Sequence, residues 1–275
     1  MDLEATFGTA KPVVGMVHLP PLPGAPKADD DGAAAMAAAV ERAGRDAAAL
    51  DRGGVDGVIV ENFGDAPFYP DDVPDHTVAS MTRAATAVTS ATDLPVGINV
   101  LRNDAAAAVS VASAVDAAFV RVNVHTGARV ADQGILQGRA HETLRLRDRL
   151  GVDVGVFADT DVKHSAPLTA EGYTAESFAD TAERGLADAV IASGRGTGEA
   201  LEETALRDVV DERAAHGLDT PVFVGSGVRH DTVADLLEVA DGVIVGTALK
   251  VDGETTGPVD ADRVAALVER ADDAR

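Results

Sequence analysis

The chain of 275 residues has no cysteine and no tryptophan, only two tyrosines, and only four lysines (Lys11, Lys27, Lys163 and Lys250) beside 19 arginines. The absence of cysteine excludes a disulfide framework, a thiolate nucleophile and any Cys-based zinc or iron–sulfur site. No apolar run approaches the roughly 18 residues a membrane span needs. The opening MDLEATFGTAK lacks the basic and apolar regions of a secretory leader. A soluble, cytoplasmic protein with no integral membrane segment is therefore expected. Positive charge is scarce as well. With 46 acidic against 23 basic side chains the net charge is −23, which argues against a nucleic-acid partner or an anionic membrane surface.

What remains is acidic yet foldable. Hydrophobic residues make up 46% of the chain and the acids are spread along it, so the charge does not signal disorder. Few lysines, many acids and alanine-filled helical stretches fit a salt-accumulating halophile, and a halophilic archaeon is the expected source. An ordinary acidic mesophilic enzyme is the alternative. At about 1 M salt the Debye length falls to ~3 Å, so such a surface no longer repels an anionic substrate.

Eight β-branched runs alternate with longer helical stretches: Val13–His18, Val55–Glu61, Val96–Leu101, Ala118–Val124, Val152–Asp159, Ala189–Ser193, Val222–Ser226 and Gly242–Gly246. Helix-compatible sequence follows each one, at about 32–52, 76–91, 104–115, 138–150, 174–186, 199–215, 230–239 and 259–273. Regular βα alternation predicts a parallel sheet with helices outside it. Eight units in a chain near the typical ~250 residues predict one α/β domain over 1–275, a closed (β/α)8 TIM barrel. The alternative, an open doubly wound sheet, loses ground because no GxGxxG follows the first run. Long connections follow the first, second and fifth strands: Leu19–Asp31, Asn62–Asp75 and Thr160–Tyr173. In a barrel all three lie on the C-terminal face, where active sites are built.

Strand parity then selects the inward side chains. Val14, Met16 and His18 share a face, as do Gly57, Ile59 and Glu61. Gly97 and Asn99 follow, then Phe119, Arg121 and Asn123; Gly155, Phe157 and Asp159; and Ala189, Ile191 and Ser193. The set is apolar or glycine at one end and polar at the other, which predicts a packed interior capped by a polar ring. Asp159 or Glu61 is the candidate general base, with Lys163 or His18 as acid or electrostatic partner. Asn99, Arg121, Asn123, His125 and Ser193 are the candidate substrate-binding residues. Arg121, one layer deeper, needs an acidic partner, and Glu61 and Asp159 both qualify. Lys163 is open to three roles: enolate or phosphate stabiliser, Schiff-base nucleophile, or surface ion pair.

Glycine clusters follow the last three strands. Gly225-Ser226-Gly227 and Gly246-Thr247 occupy the places where many barrels bind phosphate, and Gly194 and Gly196 lie in a third such loop. These residues are the candidate phosphate site. Of the remaining histidines, His76, His141, His216 and His230 read as surface residues, while His164 stays a candidate beside Lys163. No HxH or HExxH spacing marks a metal site. Mg²⁺ on carboxylates is the form a metal would take, and no cofactor is firmly implied.

Several blocks carry a family resemblance. Lys11-Pro-Val-Val-Gly-Met-Val-His-Leu-Pro-Pro-Leu-Pro-Gly24 resembles the opening of the BtpA/SgcQ family. Glu61–Phe68, Asn99–Asn103, Arg121–Asn123, Asp159–His164 and Ser193–Gly198 are similar to further blocks of it, so the likeness spans nearly the whole chain. The resemblance implies a barrel of the ribulose-phosphate-binding type. It implies no catalytic residues. One branch is linked to photosystem I accumulation and another to sugar uptake and metabolism. The expected function is an enzyme, a lyase or isomerase, performing carbon-acid chemistry on a phosphorylated sugar or related small phosphate ester. The alternative is a non-catalytic assembly or regulatory protein. Homo-oligomerisation is the default expectation for a soluble barrel.

Overall fold

The computed structural model describes residues 1–160, 162, 164–168, 177–193 and 203–275. Eight parallel strands close into a barrel: β1 (Val13–His18), β2 (Gly57–Glu61), β3 (Val96–Asn99), β4 (Phe119–Val122), β7 (Gly155–Asp159), β9 (Ala189–Ala192), β10 (Val222–Val224) and β11 (Gly242–Val245). They neighbour one another in chain order, and β11 pairs back onto β1. The (β/α)8 architecture expected from the alternation is the one observed.

The helices are α2 (Gly32–Arg52), α3 (Asp75–Thr89), α4 (Ala105–Ala114), α5 (Ala140–Leu150), α7 (Glu203–Ala215), α8 (Val233–Val239) and α9 (Ala261–Asp272). Their starts follow capping chemistry. Asp31 accepts from the Ala33 and Ala34 N–H groups and Asp260 from Asp262 and Arg263, satisfying donors that a helix leaves open. Residues Ala35, Ala39, Ala43, Ala47 and Leu50 bury one face of α2 at helical spacing.

Strand parity divides the core in two. Val14, Met16, Ile59, Phe119, Phe157, Ala189, Ile191, Phe223 and Ile244 fill the barrel, while Val13, Val17, Val58, Val60, Val120 and Val156 face the helices. Phe119 and Phe157 stack with centroids 4.5 Å apart, and Phe223 lies 5.0 Å from Phe157.

Three elements depart from the sequence reading. A short helix α1 (Leu3–Phe7) precedes the barrel, capped by Asp2 and ended by Gly8 at φ 74°. It puts Phe7 into the barrel interior, 5.8 Å from the Phe119 ring. The connection after β4, not among the long loops expected, is a hairpin of β5 (Ala128–Ala131) and β6 (Gly134–Gln137). With β8 (Ser165–Pro167) it makes a second, antiparallel sheet in the order β6-β5-β8. The helix expected at about 174–186 is described from α6 (Ser177–Ala179), which runs into a π-helical turn at Asp180–Arg184; 174–176 lie outside the described residues. Among the described residues no helix is long and apolar enough to cross a membrane.

Candidate active site

The C-terminal end of the barrel opens into a cavity of about 240 Å³. Around it stand His18, Glu61, Arg121, Asn123, Asp159 and Ser193 from the strand ends. Gly225–Val228, Gly246 and Thr247 line it from the last two loops. The strand ends and final loops singled out by the sequence thus converge on one space, because in a barrel every strand delivers its last inward residue to the same mouth.

His18 and Glu61 are register partners on neighbouring strands, which brings their side chains together. His18 Nε2 lies 3.7 Å from Glu61 Oε1, and its other ring nitrogen, Nδ1, lies 3.0 Å from the Thr255 carbonyl oxygen. A carbonyl only accepts, so Nδ1 carries a proton and Nε2 is the nitrogen that faces the carboxylate. Phe63 packs on the imidazole at 4.9 Å. A β-carbon at position 246 would come within 2.9 Å of His18 Cε1, so glycine there makes room for the ring.

Asp159 resolves which acid answers Arg121. Its Oδ2 accepts from Arg121 Nε at 3.0 Å and from Asn123 Nδ2 at 3.0 Å; its Oδ1 accepts from Arg121 Nη2 at 2.9 Å and from the Ser193 hydroxyl at 2.9 Å. Burial alone would lower the Arg121 pKa, but the charge and hydrogen bonds of Asp159 outweigh it and leave it raised.

The other expected site residues are placed less centrally. Asn99 lies beneath the cavity, donating from Nδ2 to the Arg121 carbonyl at 3.0 Å and to Asn123 Oδ1 at 3.2 Å. His125 does not line the mouth. It faces a neighbouring cavity of about 500 Å³ between the small sheet and α5, with Nε2 2.8 Å from the Gly185 carbonyl. Burial lowers its pKa, partly opposed by that hydrogen bond. His164, Phe63 and Phe68 do line the mouth. Lys163, Gly194 and Gly196 lie outside the described residues. Among the described residues no three His, Asp or Glu side chains gather as a metal would require.

Sequence reasoning missed Arg102, Asp132, Gln133 and Thr255, all of which line the cavity. Arg102 follows β3 beyond the reach of strand parity. Burial lowers its pKa while Glu61 and Asp159 pull it back up. Asp132 and Gln133 form the turn of the β5–β6 hairpin and bring it over the mouth. The two loops expected to bind phosphate both reach the cavity. Gly227 and Gly246 line it, and without a β-carbon they allow a bound anion to approach the backbone closely.

The model of the BtpA family matches residues 9–273. The chain belongs to the BtpA family. This BtpA-family chain is 46% identical over 271 residues to the photosystem I biogenesis protein BtpA of Synechocystis, covering 98% of one chain and 91% of the other. It is 45% identical to an uncharacterized protein of Thermococcus kodakarensis, covering 100% and 98%. Among solved structures it is similar to (S)-3-O-geranylgeranylglyceryl phosphate synthase from Thermoplasma acidophilum, in complex with sn-glycerol-1-phosphate, with a TM-score of 0.62 and 18% identity over 99% and 97% of the chains. Thiamine phosphate pyrophosphorylase from Pyrococcus furiosus gives a TM-score of 0.56 at 14% identity, covering 96% of each chain. At these identities the structures share the barrel fold.

Proposed function

We propose that the barrel mouth binds a small phosphate ester and removes a proton from a carbon next to its carbonyl, as in an isomerase or aldol-cleaving lyase. The observation that carries this reading is the meeting of two kinds of group in one cavity. The His18–Glu61 pair stands beside Gly246 and Thr247, and the Gly225–Val228 backbone lines the same cavity. The glycine loops hold the phosphate through N–H groups. Glu61 takes the proton, Arg102 steadies the developing oxyanion, and His18 exchanges the proton through Nε2. Asp159, with both oxygens engaged, keeps Arg121, Asn123 and Ser193 in place and yields the role of base to Glu61.

Thermal unfolding in about 2–3 M KCl tests this with sugar phosphates, their unphosphorylated counterparts, and Mg²⁺ present or absent. A ligand at 100 times its Kd adds ~2.7 kcal/mol, a rise in Tm of roughly 5–10 °C. A rise confined to phosphorylated compounds, retained in Glu61→Gln, is the expected result. No rise for any of them overturns the reading.

A second reading, a non-catalytic assembly or regulatory partner, is favoured by the relative named for photosystem I biogenesis. The solvent side of the small sheet also shows apolar residues, with Val130 43%, Ile135 52% and Leu168 52% exposed. Charged substitutions at Val130 and Ile135 that abolish partner capture, with the phosphate response unchanged, would support it.

A further inference from the structure

The proton-bearing nitrogen of His18 is fixed by a backbone carbonyl, so whatever holds Thr255 in place also decides which nitrogen meets Glu61. Thr255 lies in a loop between Lys250 and Val259, which pair as an antiparallel bridge at its base. At the mouth the Thr255 hydroxyl lies 2.8 Å from that of Thr247, and the peptides that follow are held from outside the barrel. Arg42, on α2, donates from Nη2 to the Thr256 carbonyl at 3.2 Å and also to the Gly257 carbonyl. Arg42 is in turn oriented by Asp46, one helical turn on, whose Oδ2 accepts from Arg42 Nε at 2.8 Å. Asp46 Oδ1 accepts from the Val259 N–H at 3.0 Å, and Lys250 Nζ lies 3.6 Å from Oδ2 while donating to the Met16 carbonyl at 2.8 Å. Asp46 is 2% exposed and Lys250 fully buried, so both lie out of solvent beneath the loop.

We infer that Arg42, oriented by Asp46, is a positioning residue that sets the His18 tautomer through the loop carrying Thr255. Gripping the two carbonyls after Thr255 prevents the peptide from turning its oxygen away from Nδ1. Free of that acceptor, a neutral imidazole could place its proton on Nε2 and present an N–H rather than a lone pair to Glu61. The inference rests on the reading of His18 and Glu61 as the proton-transfer pair, but its test needs no ligand, so a failed phosphate-ester screen does not decide it.

The test is nitrogen-detected NMR of ¹⁵N-histidine-labelled full-length protein, with the pH raised until the His18 ring is neutral. In the unsubstituted protein the Nδ1–H form should dominate by about tenfold, the worth of one buried hydrogen bond. Arg42→Ala should bring the two forms near parity, and Arg42→Lys, which restores a donor, should return most of the Nδ1–H form. Arg42→Met keeps the packed stem and removes only the guanidinium, so it answers the question if Arg42→Ala does not fold. Arg45→Ala, on the same helix but exposed, controls for a general loss of helix stability and should leave the ratio unchanged. An Nε2–H form in the unsubstituted protein, or an unaltered ratio in Arg42→Ala or, where that variant does not fold, in Arg42→Met, overturns the inference.

Discussion

Arg121 and Asp159 meet through two parallel hydrogen bonds, Nε to Oδ2 at 3.0 Å and Nη2 to Oδ1 at 2.9 Å, with both side chains almost wholly out of water. Removing the negative partner leaves a buried guanidinium unpaired. Asp159→Asn should therefore destabilise the fold by about 3–5 kcal/mol, a fall in Tm of roughly 10 °C. Glu61→Gln should shift Tm far less and abolish proton exchange at the substrate carbon, read as loss of deuterium uptake from D₂O. Equal thermal stability of Asp159→Asn and the unsubstituted protein would show that the pair does not hold the mouth together.

Lys250 makes stability depend on alkaline pH. Burial lowers its pKa from 10.5 to about 8, with Asp46 opposing the shift. Between those two values the unfolded chain holds more protons than the folded one, so unfolding free energy rises as pH increases from about 8 toward 10.5. The gain approaches about 3 kcal/mol over that window. Denaturant titrations at three pH values should show this slope, and Lys250→Met should lose it. A slope unchanged by the substitution would assign the dependence to another group.

Phe7 seals the barrel floor from a helix of five residues. Phe7→Ala leaves a cavity against Phe119, Phe157 and Phe223 and should cost about 3–5 kcal/mol. Urea unfolding measures it directly, and a loss below about 1 kcal/mol would mean that the N-terminal helix contributes little to the barrel.

We infer from the net charge of −23 that this surface is suited to concentrated salt. Raising KCl from 0.1 to 2 M shortens the screening length from about 10 Å to under ~3 Å and relieves self-repulsion. Tm should rise by roughly 5–10 °C, and an uncharged solute of equal osmolality should reproduce little of the rise. Equal responses to the two would point to solute exclusion instead of charge.

The barrel was legible in the sequence because both of its signals are periodic. Alternation in β1 and β2 separates inside from outside, with Val13, Val17, Val58 and Val60 toward the helices and Val14, Met16 and Ile59 inward, and the alanine face of α2 repeats at helical spacing. His18, Glu61, Asp159 and Ser193 followed from the same parity. The hairpin at Ala128–Gln137 is hard to read from sequence because its Asp132-Gln133 turn lacks the usual Asn-Gly or Asp-Gly pair. Phe7 belongs to a helix too short to show a period. Which acid would pair with Arg121 depended on reach across strands, which sequence spacing leaves open. The contribution of Thr255 is a carbonyl oxygen, a group every residue possesses, so no side-chain pattern could announce it.

The stacked rings of Phe119 and Phe157, with Phe7 and Phe223 beside them, close the barrel below the polar ring. The mouth is consequently a chamber closed on the side of the barrel floor. Among the described residues a bound molecule therefore rests with stacked rings beneath it and the Asp132–Gln133 turn at its rim. Swapping or lengthening the turn would therefore reshape the rim of the chamber while leaving the strand-end residues His18, Glu61 and Asp159 in place.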